Sequence, residues 1–208
     1  NQSHTQTSST ESIPKEAAKV YEKRYQDGRV RKNPLIFKKI ISNEIIHSYA
    51  YIAQELAKFR HQPLPICTDE EALIDLNKTF ICLGGPTVNE LTEWATKERS
   101  NKFLRFSPPD DTDETMVTIE VISNSKNYLA FGTKEGKDYG MILKVKNNRF
   151  PKHFFFVCAG IKIWGSWGAA WFLSQQWKNL YKEFGAEEFG VVVEVHRNII
   201  TSAIRVYP

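Results

Sequence analysis

Between residues 43 and 60 apolar side chains recur at spacings of three and four: Ile45, Ile46, Tyr49, Ile52, Ala53, Leu56 and Phe59. That period predicts an amphipathic helix, with Asn43 as its N-cap. Upstream, residues 1–13 hold almost no apolar side chains and are read as a flexible tail. Residues 14–32 open on Pro14 and predict a short helix ending near Gly28. The basic residues of that stretch are offset by Glu16, Glu22 and Asp27, so it is read as a solvated face.

From residue 64 the pattern changes to short apolar runs separated by turn residues. Thr68 precedes Asp69, Glu70 and Glu71 and predicts a capped helical turn. Residues 78–83 read as a buried strand that stops at Gly84-Gly85-Pro86. A helix then follows, with Thr87 as N-cap and Glu90 at the capping-box position. The middle of the chain is rich in β-branched and aromatic residues, at 103–106, 116–123, 127–132 and 139–147, and predicts an antiparallel meander or insertion. Residues 153–160 form a continuous apolar run, as expected of a strand buried on both faces. A second glycine-containing turn leads to a helix capped by Ser166 and closed by Gly185. Residues 189–198 and 199–208 predict two more strands, the last at a sheet edge.

The alternation of helix and strand predicts an α/β fold, a Rossmann-like three-layer sandwich whose mixed sheet has an antiparallel middle section. Residues 14–208 are read as one α/β domain.

Composition narrows the function classes. The 208 residues are 41% hydrophobic and 25% charged, an ordinary globular balance. The net charge of +4 is too mild for a dedicated nucleic-acid binder, so no specific nucleic-acid partner is expected. Cys67, Cys82 and Cys158 have neither disulfide nor metal spacing. They are read as reduced thiols, with no metal and no cofactor. Localisation is expected to be cytoplasmic, either free or as the soluble part of a membrane-anchored protein tethered to a segment upstream of Asn1.

Candidate chemistry concentrates at the two strand-to-helix turns. Glycines there let backbone amides approach a ligand, and the following helix aims its free N–H groups at the same spot. The first turn offers Gly84, Gly85, Thr87 and Asn89. The second offers Gly160, Lys162, Trp164, Gly165 and Ser166, where Lys162 adds charge and Trp164 an aromatic face. Neither turn has the G-x-G-x-x-G or P-loop spacing. Glu90, Asp138 and Glu194 are the carboxylates near strand ends, and His153 and His196 have no nucleophile beside them. The expectation is a sensor or regulatory domain that binds a nucleotide-like or other anionic small molecule. The alternatives are a hydrolase or glycosyl-transferring enzyme using one of those carboxylates, and a protein-interaction module using the tryptophan-rich last third.

Overall fold

The computed structural model describes residues 43–59, 64–107, 117–122 and 129–208. The chain divides between Ile40 and Ile41, and every described residue belongs to the second unit. The expected tail at 1–13 and helix within 14–32 lie outside the described residues.

The amphipathic stretch forms α1, Asn43–Ala57, with Asn43 already inside the helix. Next comes α2, Asp69–Ile74, where Thr68 and Glu71 make the expected capping box. Then follow β1, Phe80–Leu83, and α3, Glu90–Lys97. The middle section supplies β2, Leu104–Phe106, β3, Thr118–Val121, β4, Ala130–Gly132, and the long β5, Lys137–Lys146. The last third is β6, Phe154–Gly160, α4, Ile163–Phe184, β7, Phe189–His196, and β8, Ile199–Tyr207.

These strands make a five-stranded mixed sheet in the order β1-β6-β5-β7-β8 and a separate antiparallel meander, β2-β3-β4. The mixed α/β class and the antiparallel middle section were both legible in the sequence. In the main sheet, β1 runs parallel to β6, and β5 runs antiparallel to both β6 and β7. The β6–α4–β7 crossover therefore straddles β5. The carboxyl ends of β1, β6 and β7 share one edge of the sheet with the start of β5.

Alternation along each strand sorts side chains onto two faces. Phe80, Cys82, Tyr139, Met141, Leu143, Phe155 and Val157 face α2, α3 and the small sheet. Ile142, Cys158, Val191 and Val193 face α1 and α4 with Ile52, Ala169, Ala170 and Leu180. Removing such side chains from water contributes about 1.5–3 kcal/mol each for the larger ones.

The long helix α4 lies unusually close to the strands. A Cβ on Gly140 would fall 2.1 Å from the Gly165 carbonyl oxygen, and one on Gly165 would fall 2.1 Å from the Tyr139 oxygen. The small residues at 165–170 are thus required by packing. Strand β5 also neutralises both ends of this helix. Asp138 receives the N–H groups at its start, while the Lys144 Nζ donates to the Gly185 carbonyl at 3.2 Å at its end.

Candidate functional site

The two glycine turns adjoin. Because β1 and β6 are parallel neighbours, their carboxyl ends lie side by side, and the Gly84 N–H donates to the Cys158 carbonyl at 3.0 Å. Gly84 has φ +93°, a conformation that favours glycine, whereas a Cβ on Gly85 would have ordinary room, 3.5 Å from the Gly160 oxygen.

The helix starts differ from the expected caps. Asn89, not Thr87, caps α3: its side-chain oxygen accepts the Thr92 N–H at 2.8 Å and its amide donates to the Leu83 carbonyl at 3.2 Å. Thr87 is exposed on the turn. Glu90 is the first helical residue, and its N–H donates to the Asp69 carboxylate at 2.6 Å. Lys162, not Ser166, holds the cap position of α4, and Ser166 lies a turn inside the helix. Its buried hydroxyl oxygen accepts the Gly160 N–H at 2.9 Å.

Asp138 is wholly buried, at 0% exposure, and supplies the missing cap of α4 from the neighbouring strand. Its carboxylate accepts the N–H of Gly165 at 2.7 Å, of Tyr139 at 2.8 Å and of Lys162 at 3.3 Å. Burial raises its pKa above the ordinary carboxylate value, against the lowering effect of those three bonds. The N-termini of α3 and α4 are therefore both met by carboxylates of this chain. Any outside anion at this edge must be held chiefly by side chains.

Glu194 lies on β7, opposite Tyr139, on the face turned toward the small sheet. It accepts the Tyr139 hydroxyl at 2.7 Å and pairs with the Lys137 Nζ at 2.6 Å. The Lys137 bond holds its carboxyl below the ordinary range. Burial and the Glu194 bond push the Tyr139 phenol up to about 12. A phenol that keeps its proton longer in the folded state stabilises less as pH rises from its ordinary 10.0 to about 12. Thermal melting across that window should show a decline that Tyr139→Phe reduces, and an equal decline in both proteins would rule this coupling out.

A cavity of about 390 Å³ opens at this edge, lined by Lys162, Ile163, Trp164 and Arg197. The structure thus brings Lys162 and Trp164, both expected ligand contacts, to one cavity. Gly84, Asn89, Gly160, Gly165 and Ser166 instead engage in internal bonds and close packing. Trp164 is half-buried and meets Trp167 edge to face, with ring centres 4.9 Å apart. Trp167 in turn meets His47 of α1 at 4.9 Å.

Sequence reasoning missed Ile163 and Arg197. Arg197 and Asn198 form the two-residue turn between β7 and β8, and Asn198 has φ +68°. An asparagine between two β-branched runs was the available signal. The Arg197 N–H donates to the Gly136 carbonyl at 2.9 Å, which ties this turn to the start of β5.

Cys82 and Cys158 are free and buried, Cys67 is free and exposed, and burial pushes the Cys158 thiol up to about 12. Among the described residues no group of three or more His, Cys, Asp or Glu side chains is placed to hold a metal ion. No helix among them is long and apolar enough to cross a membrane. Comparison with known proteins finds no matching family model, no matching curated relative and no matching solved structure.

Proposed function

We propose that the domain binds an anionic, nucleotide-like small molecule at the sheet edge and serves as a sensor or regulatory element. The observation that carries this reading is the cavity of about 390 Å³ lined by Lys162, Arg197, Trp164 and Ile163. It combines two cations with apolar and aromatic surface. Among the described residues neither cation is held in an ion pair, and Ile163 is 47% exposed. A few polar groups converging on apolar lining is the ordinary composition of a small-molecule site. The position agrees with the general rule for open α/β sheets, whose ligands bind beyond the carboxyl ends of strands. In this reading the main sheet and its two covering layers act as a Rossmann-like three-layer sandwich, and the domain works in the cytoplasm, where its free thiols stay reduced.

The carboxylate chemistry of a hydrolase finds less support. Asp138 is committed to backbone N–H groups, and the two carboxylate oxygens of Glu194 are taken up by Lys137 and Tyr139. A general base needs a free lone pair facing substrate.

Thermal-shift screening against nucleotides, sugar phosphates and dicarboxylates tests the reading. A binder at a hundredfold excess over Kd adds about 2.7 kcal/mol of stability. Lys162→Ala and Arg197→Ala are each expected to remove about 1.5–3 kcal/mol of binding. A panel without any shift, or shifts that survive both substitutions, would sink it.

A further inference from the structure

Resting on the ligand-binding reading, we infer that this cavity takes a nucleoside monophosphate, its base against Trp164 and its phosphate between Lys162 and Arg197, without a divalent metal. Four features point the same way.

The first is charge. A phosphate monoester carries about −1.5 to −2 at neutral pH, which the two cations lining the cavity match. A triphosphate would leave charge unneutralised unless a metal accompanied it. The second is the shortage of metal ligands. Asp138 is the carboxylate that binds the Lys162 and Gly165 N–H groups beside the cavity, and it is wholly buried and committed to three N–H donors. The third is the aromatic surface. Trp164 is braced at right angles by Trp167, so its indole is set in place before a base arrives. The fourth is size. About 390 Å³ lies at the lower end of the roughly 300–1,000 Å³ spanned by small-molecule pockets, which suits one nucleotide rather than two.

The self-capped helix sharpens the expectation. Because Asp138 takes the amides of α4, the phosphate depends on two surface cations, and affinity should fall steeply with added salt.

Isothermal titration of the full chain in EDTA tests this directly. The probes are AMP, GMP, CMP and UMP, with adenosine, inorganic phosphate, and ATP with and without Mg²⁺ as comparisons. At least one monophosphate is expected to bind, with adenosine and inorganic phosphate each about tenfold weaker or more. Trp164→Ala should weaken the monophosphate by about five- to a hundredfold. Since that change also disturbs Trp167, Arg197→Ala on the exposed hairpin turn is the second variant. It should weaken the monophosphate by about ten- to a hundredfold and leave adenosine unchanged. Inorganic phosphate binding as tightly as every monophosphate, or ATP with Mg²⁺ binding more tightly than all of them, overturns the inference and leaves the anion-site reading standing. Binding by another class of anion alone, such as a dicarboxylate, does the same. Silence from every nucleotide, from phosphate and from the broader anion panel overturns both.

Discussion

Gly165→Ala is expected to destabilise the domain by about 3 kcal/mol or more, although it adds one methyl group at the start of a helix. Alanine normally favours a helix over glycine by about 1 kcal/mol, so propensity alone predicts the opposite sign. Packing decides the outcome. The added Cβ would lie 2.1 Å from the Tyr139 carbonyl oxygen, 2.7 Å from its carbon and 3.0 Å from the Gly160 Cα. All three are backbone atoms of paired strands, so no side chain can rotate away. Relief requires α4 to lift from the sheet, which would stretch the Asp138 bonds and loosen the Ala169 and Ala170 contacts. At about 2–4 °C per kcal/mol for a unit of this size, melting should fall by on the order of 10 °C. Gly136→Ala is the control. Its φ is +69° but nothing lies within 4 Å of the new methyl, so only backbone strain of about 1–2 kcal/mol applies. Equal melting temperatures for Gly165→Ala and the parent would refute the close approach.

The second large effect concerns Asp138. Asp138→Ala removes the acceptor for the Gly165, Tyr139 and Lys162 N–H groups, two of them in buried residues. Orphaned buried donors cost about 1–3 kcal/mol each, so about 3–5 kcal/mol in total is expected at neutral pH. Asp138→Asn keeps the shape and one acceptor and should cost less. The pH response separates charge from shape. Because the folded carboxyl has its pKa raised by burial, the folded state holds this proton more tightly than the unfolded state does. The contribution of this group to stability is therefore greatest below the ordinary carboxylate value of 3.8 and declines as pH rises through the raised value. Glu194 acts in the reverse direction. Its pKa is lowered, so its contribution is present above the ordinary 4.5 and is lost as pH falls. Urea midpoints measured across the mildly acidic range should change slope between the parent and Asp138→Asn. An unchanged slope would mean that Asp138 ionises in the fold as it does in the open chain.

Local pattern revealed the elements, and distance hid the cap of α4. The α1, β6 and β7 segments were legible because a 3.6-residue period or an unbroken β-branched run leaves little choice of structure. The helix start at Ser166 was misread because its cap comes from a partner remote in sequence, whereas at Thr87 the true cap, Asn89, lies two residues further along the same segment. The Asp138 carboxylate reaches Gly165 across 27 residues, and the Asp69 carboxylate reaches Glu90 across 21. A serine followed by small residues looks like an N-cap from within its own segment. Only the strand beside it shows that the cap comes from elsewhere. Strand β5 begins at Lys137, two residues before the apolar run, because Lys137 and Tyr139 pair with Glu194 across the sheet. Lys162 and Trp164, which line the cavity, stood out in the sequence as candidates from charge and aromaticity in a turn. Arg197 did not, since its place beside them depends on the sheet order.

The parallel pairing of β1 with β6 has a consequence for synthesis on the ribosome. Thr79, just before β1, accepts the Phe154 N–H from 75 residues further along the chain. Strands β5 to β8 meet through neighbours made soon after one another, whereas Phe80–Leu83 emerges long before β6, its only sheet partner among the described residues. The β1–β6 pairing closes a longer loop than the other pairings of this sheet, so loop-closure entropy disfavours its early formation. Until then Phe-Ile-Cys-Leu is a sticky apolar tetrapeptide on a nascent chain, the kind of segment that chaperones shield. Lys78 before it and Pro86 after it are the residue types that act as gatekeepers against premature strand-to-strand association.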